Sequence, residues 1–373
     1  MRTRLLVAAA GAAAITCGST GAAPNSSAAT LDRALRDLVA MPGGPPGAVS
    51  VVQRGTTIEL HRAGVADRRT RRPIQGGDHI RLASVAKAFS GAVALTLVAR
   101  GRLSLDSTIG RLLPKLPRAW RKVTLRQALQ HTSGLPEFSR SPGFQKFVRS
   151  HLHARVAPLR LLRFVFDKPL EFRPGTRYRY SNTDNFIAAL MAEAVTHRPY
   201  EHLLSLAAPV HLTETTLPGG AALPSPYLHG YDGKEDVSTL LSASLSWAAG
   251  GIVSTPADLN RFIRGYAGGK LFGGRVRAAQ LRFVAGHSEP PGPGRNAAGL
   301  SIFRYRTRCG TVYGHTGNTP GYTEFAAATL DGRRSVTVTI SEQLSESSTW
   351  ERARAFEQFR RVEEDAVCAA LSH

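Results

Sequence analysis

Ser84-Val85-Ala86-Lys87 places a serine and a lysine three residues apart in an apolar run whose buried stripe is Val85, Phe89, Val93 and Leu97. On a helix that spacing puts both side chains on one face, about 5–6 Å apart at Cβ. An ammonium so placed reaches the hydroxyl, helps remove its proton and holds the developing charge. The chain has seven lysines against forty-one arginines, and only Lys87 has a serine three residues before it. Arginine could not take its place, because its pKa is too high to exchange a proton at neutral pH. The tetrapeptide alone is also what a capping serine beside a solvated lysine looks like. Its meaning comes from what accompanies it.

Tyr180-Ser181-Asn182 follows Ser84 by 96 residues, and His315-Thr316-Gly317 follows Tyr180 by 135. Ser-x-x-Lys, then Tyr-x-Asn, then His/Lys-Thr-Gly is the ordered signature of penicillin-recognising serine hydrolases. From about Leu31 to the C-terminus the chain most resembles their branch of class C β-lactamases and the secreted D-alanyl-D-alanine carboxypeptidase/transpeptidase. Gln130-His131-Thr132-Ser133-Gly134-Leu135-Pro136, Pro174-Gly175 and the run Ala249 to Leu259 extend the likeness. The resemblance implies an α/β fold of α+β type: an antiparallel sheet built from both chain ends, flanked by helices, with an inserted, mainly helical lobe at about 103–224.

The residues fit that outline. Thr30 to Met41 reads as a helix, Gly47–Gln53 and Thr56–Val65 as a hairpin, and the stretch from about 299 to 341 as strands with a turn at Asp331-Gly332. An amphipathic helix is expected over about 349–371, and the Gly/Pro-rich run Glu289 to Gly294 reads as a surface loop.

The resemblance also implies roles. Ser84 is the expected nucleophile, Lys87 its desolvated proton acceptor, and Tyr180 a second proton handler working as a phenolate. Asn182 is expected to donate its amide to a substrate carbonyl, Thr316 to bond the substrate carboxylate, and Gly317 to let substrate backbone approach. Backbone amides of Ser84 and Asn318 would form the oxyanion hole. His315 stands where class C β-lactamases carry lysine and the secreted peptidase carries histidine, so a charge titrating near pH 6.5 is expected, with a bell-shaped rate profile. The peptidase holds the substrate carboxylate with an arginine on the preceding strand. An ungapped count puts that position at Phe303, and a one-residue slip would bring in Arg304.

Composition sets further bounds. Arg2 and Arg4 precede a short apolar run and small residues, which reads as a secretory signal over 1–29 cleaved after Ala23 or Ala29, with residues 30–373 as the mature chain. A lipoprotein anchored at Cys17 is the lesser alternative. Cys309 and Cys368 remain, either a disulfide or two buried thiols; the related peptidase has a pair in corresponding places, which favours the bridge. The net charge of +21 fits polyanionic surroundings such as an anionic cell wall, or arginine drift in a GC-rich genome. No nucleic-acid motif is visible, and no metal or cofactor is expected. The functional expectation is a secreted acyl-enzyme hydrolase of small peptide or β-lactam substrates, foremost a D-alanyl-D-alanine carboxypeptidase. A class C-like β-lactamase, an esterase, another D-amino-acid peptidase and a non-catalytic wall binder are the rivals.

Overall fold

A computed structural model describes residues 26–207, 212–346 and 349–372. Residues 1–25 of the expected signal segment, with Cys17, lie outside them. The first helix, Ser26–Ala40, begins before the expected Thr30.

Eight antiparallel strands form one sheet in the order Thr57–Gly64, Gly47–Arg54, Arg334–Ile340, Tyr322–Ala328, Gly310–Thr319, Phe303–Thr307, Arg295–Ala298 and Val284–Ala285. The N-terminal hairpin therefore joins the C-terminal strands, with Ala48 facing Ile340 and Arg54 facing Arg334. All seven residues of Tyr322–Ala328 are buried, as a central strand covered on both faces requires. One face carries Ser26–Ala40 and the terminal helix Trp350–Leu371, whose Phe356, Phe359, Val362 and Val367 enter the core. The other face carries the helices Ala86–Ala99 and Pro256–Ala267, with the stacked Phe89 and Phe262 rings between them. Residues 103–224 contain helices and loops and no named strand among the described residues. Cys309 and Cys368 form a disulfide that ties the terminal helix to the hairpin leading into Gly310–Thr319.

Two features of the sheet place the site. Pairing of Gly310–Thr319 with Phe303–Thr307 stops at Gly314↔Phe303, while pairing with Tyr322–Ala328 continues to Thr319↔Tyr322. The stretch His315 to Asn318 therefore has one open edge. An open strand edge leaves every second N–H and C=O free for another chain to meet. Against it lies a tight turn, Ala83–Val85, that leads into Ala86–Ala99. Ala83 takes a left-handed backbone (φ +46°), uncommon for a residue with a Cβ. Ser84 thus stands on a strained turn just before the helix.

Candidate active site

Lys87 is fully buried, and its ammonium nitrogen is held by three oxygens: Ser84 Oγ at 2.9 Å, Asn182 Oδ1 at 2.7 Å and the Ala249 carbonyl at 2.9 Å. Burial drives its pKa down to about 7, against the opposing pull of the carboxylates of Glu137, Glu289 and Asp184. An amine with that pKa is about half unprotonated at neutral pH and able to accept a proton, and the hydroxyl that would supply it is already in hydrogen-bond reach.

Asn182 opens the helix Asn182–Thr196. Its side-chain amide donates to Glu137 (3.1 Å) and to Ser139 Oγ (3.0 Å). The expectation that this amide serves a substrate carbonyl is corrected. Both protons are already committed, and the side chain instead holds Lys87 in place. Glu137 is the hub on this wall, accepting from Ser181 Oγ (2.7 Å), the Asn182 backbone amide and Ser139 N (3.0 Å). A carboxylate there satisfies amides that a helix start leaves without intrahelical partners. Glu137 escaped the sequence reading although it directly follows Pro136, the end of the motif that includes His131.

Tyr180 is buried over Lys87, whose nitrogen lies 4.9 Å from the ring centre. Its hydroxyl makes no hydrogen bond that satisfies distance and angle, and Ser84 is the one neighbour that lowers its pKa. Burial wins and holds the phenol well above its ordinary value. The expected phenolate is therefore corrected to a protonated phenol. His315 is corrected in the same sense. It is fully buried, its Nδ1 lies 2.6 Å from the Thr316 carbonyl, and burial followed by repulsion from Lys87 pushes its pKa well below 6.5. It is a neutral imidazole at neutral pH, so it supplies no cation to be lost on the alkaline side. His131, within the Gln130–Pro136 motif, stands 4.7 Å from the Tyr180 ring. It is hydrogen-bonded to buried Asp184 at 2.9 Å and driven to a pKa of about 3 by burial.

The Thr316 hydroxyl is buried and donates to the Pro290 carbonyl at 2.6 Å, so it is not offered to a substrate carboxylate. A Cβ on Gly317 would meet the Leu82 carbonyl at 2.5 Å and Ser84 N at 3.1 Å. The glycine is thus needed for the strand to approach the Ser84 turn, rather than for substrate to approach the strand. The Asn318 side chain is turned away, donating to Leu344 O (2.8 Å) and accepting from Thr323 (3.2 Å), while the residue itself lines the cleft.

Arg304 does not reach this cleft. Its guanidinium lies 4.8 Å from the Phe283 ring and lines a separate hollow with Arg295 and Arg306. Strand alternation explains it: Phe303 and Tyr305 enter the core, so Arg304 and Arg306 face away from it. Phe303 packs edge-on against His315 at 5.0 Å. The slip that would have rescued a carboxylate clamp has not occurred.

The cleft itself, about 560 Å³, is lined by Ser84, Tyr180, Asn182 and Asn318 together with Glu137, Glu289, Glu346 and one cation, Arg140. Glu289 belongs to the run expected to be a plain surface loop. It pairs with Arg140 across the cleft at 2.5 Å. Three carboxylates against one guanidinium make this an acidic cleft in a chain of net charge +21. Among the described residues no group of His, Cys, Asp and Glu is arranged to hold a metal ion.

A profile of the family described as Beta-lactamase matches residues 31–357. The chain belongs to that family. It is thus an enzyme of the serine hydrolase superfamily that also includes penicillin-binding proteins. The chain is 35% identical over 177 residues to esterase EstB of Burkholderia gladioli, covering 44% of each protein. It is 28% identical over 209 residues to a D-aminopeptidase of Cereibacter sphaeroides, covering 56% of this chain and 40% of the relative. These matches span less than half the length of either relative. A crystal structure of a D-stereospecific amidohydrolase from Streptomyces sp. superposes with a TM-score of 0.76 at 29% identity, covering 88% of this chain and 97% of that one. Among the described residues no helix is long and apolar enough to cross a membrane.

Proposed function

We propose that this chain is a serine amidohydrolase acting on small amides or peptides that carry a free amino group, with D-amino-acid derivatives as the substrate class. The carrying observation is the acidic cleft. Glu137, Glu289 and Glu346 face the space beside Ser84, while the arginine expected to clamp a carboxylate lies outside it. A carboxylate wall favours a substrate ammonium and disfavours a free C-terminus. The D preference is supported by what the related D-aminopeptidase and D-stereospecific amidohydrolase are named for. The carboxypeptidase expectation gives way to this reading because it depended on a clamp that the cleft lacks.

The neutral Lys87 amine takes the proton of Ser84 Oγ as that oxygen attacks the substrate carbonyl carbon. The tetrahedral oxyanion is held by the backbone amides of Ser84 and Asn318, at the junction of the turn and the open strand edge. As the C–N bond breaks, the protonated Tyr180 phenol gives its proton to the leaving amine and recovers one from the Lys87 ammonium. Water then hydrolyses the Ser84 ester by the reverse proton route. Asn182 and Ala249 fix Lys87, and neutral His315 borders Tyr180. We also read the enzyme as exported, which the Cys309–Cys368 bridge supports because disulfides persist in oxidising compartments.

The test is a steady-state comparison of a D-amino-acid amide with its L-isomer, its N-acetylated form, D-alanyl-D-alanine and a chromogenic cephalosporin. The free-amine D-amide should lead, and N-acetylation should lower kcat/KM by about 10- to 100-fold, the scale of one lost charge-assisted contact. Preference for D-alanyl-D-alanine or the cephalosporin would overturn the reading.

A further inference from the structure

Residues 107–166 contain twelve lysines and arginines and a single acidic residue, Glu137, which is buried in the site just described. The surface built by this stretch of the helical lobe therefore exposes no carboxylate at all. Its centre is a loop from Thr108 to Thr124, closed by a bridge between those two residues and anchored inward by Ile109, Trp120 and Val123. Five exposed cations stand on it: Arg111, Lys115, Arg118, Arg121 and Lys122. Closure brings the ends together, since a Cβ on Gly110 would lie 2.9 Å from Arg121 Cβ. The charged surface continues beyond the loop. Trp120 meets Phe166 at 5.5 Å, joining the loop to the segment that exposes Arg160 and Arg163. Arg160 in turn lies over Phe147 at 5.0 Å, beside exposed Lys146 and Arg149 on the helix Pro142–Ser150.

None of these nine cations makes an ion pair among the described residues. Some arginines elsewhere are matched: Arg308 with Glu364 and Asp365, Arg352 with Asp232 and Glu342, Arg72 with Asp78; others, such as Arg33, Arg36, Arg69, Arg275 and Arg333, are exposed and make no ion pair among the described residues. What distinguishes this surface is local: between the exposed Asp106 and Asp167 the chain places these cations with no exposed carboxylate among them. Like charges held this close repel one another, and that repulsion is relieved when a polyanion replaces many small counterions.

We propose that this face of the helical lobe docks a linear phosphate-bearing polymer of the cell envelope and so holds the hydrolase beside its substrates. Six of the nine cations are arginines, whose planar fork matches phosphate oxygens in pairs. The stretch exposes no large aromatic side chain, Leu159 being its one exposed large apolar residue, so it offers no platform for stacking bases. The disulfide argues for an oxidising compartment, where envelope polymers rather than nucleic acids are the ambient polyanions.

The experiment measures binding of the full folded chain to fluorescent long-chain polyphosphate, to poly-glutamate and to single-stranded RNA at matched charge, across a NaCl series. Replacing Arg111, Lys115, Arg118, Arg121 and Lys122 together by Gln should weaken polyphosphate binding on the order of 10²-fold at low salt and flatten its salt dependence. A control replaces Arg33, Arg36, Arg69, Arg275 and Arg333, which are exposed and give the same net charge; it should lose less than about threefold. Hydrolysis of a small chromogenic ester should be unchanged in both, which certifies the fold and separates this test from that of the catalytic reading. Equal losses in the two variants would overturn the docking face. Poly-glutamate binding as tightly as polyphosphate would overturn the phosphate assignment, and RNA binding more than about tenfold tighter would overturn the choice of polymer.

Discussion

Lys87 and Lys115 are the same side chain in two solvents. Lys87 has no access to water and three oxygens within 2.9 Å of its nitrogen, and burial has brought its pKa to about 7. Lys115 stands in water on the lobe among four other cations. Loss of solvation is what turns Lys87 into a base. The contrast extends to the two regions as wholes. The cleft is polar, enclosed and acidic, so each group there is defined by a few short contacts. The lobe face is open and basic, so its groups act together, through their sum.

The largest effects should follow from breaking the enclosed side. Ser84→Ala should lower kcat/KM by at least about 10⁴-fold and abolish acylation seen by intact mass, with the fold retained. Labelling that survives would move the nucleophile elsewhere. Lys87→Arg keeps the charge but cannot shed a proton, and should cost about 10²- to 10⁴-fold. An active Lys87→Arg enzyme would reduce Lys87 to an electrostatic neighbour. In the unmodified enzyme, kcat/KM for an ester without an ionisable amine should rise with pH through about 7, as Lys87 loses its proton.

Burial of Lys87 also leaves a thermodynamic signature. Its folded pKa, about 7, lies below the unfolded value of 10.5, so between those limits the unfolded chain binds more protons. Stability contributed at this position is therefore lowest below pH 7 and rises as pH increases toward 10.5. Measured by denaturant unfolding against Lys87→Met, the unmodified protein should gain about 1.4 kcal/mol per pH unit across that window. Parallel lines for Lys87→Met would show that the lysine is not desolvated.

His315 gives a smaller and subtler effect. Since the folded pKa lies well below 6.5, the imidazole is neutral throughout the alkaline range. His315→Gln should then lower the height of the rate profile, by removing a neighbour of Tyr180, without moving any limb above about pH 7. An alkaline limb that is present in the unmodified enzyme and vanishes in the variant would restore His315 as a titrating cation.

Much of the architecture was legible because periodicity and turn residues write it locally. The first hairpin, the later strands, the turn at Asp331-Gly332 and the terminal helix each fall within a few residues of expectation. The same holds for the proximity of Ser84, Lys87, Tyr180 and Asn182, which motif order conveys without geometry. Protonation was not legible, because Tyr180 and His315 owe their neutral forms to burial by residues far away in sequence. Nor was Glu137 legible, since a carboxylate after Pro136 reveals its purpose only when the helix start at Asn182 is folded against it. Gly317 was read as room for substrate, yet the atoms it makes room for are the protein's own, at Leu82 and Ser84.

Arg304 is where period-two reasoning could have decided in advance, and it yields the smallest expected effect. Phe303, Arg304, Tyr305 and Arg306 alternate apolar and charged, and an antiparallel strand with one buried face puts the apolar pair inside. An inward Phe303 beside His315 obliges Arg304 to face the other way, toward Phe283. Arg304→Gln should therefore change kcat/KM by less than about twofold on both a D-amino-acid amide and the corresponding free dipeptide, as for a surface change that touches no reacting group. Loss of activity confined to the free dipeptide would mean that Arg304 reaches the substrate carboxylate after all. The boundary between the enclosed cleft and the open basic surface would then have to be drawn on the other side of that strand.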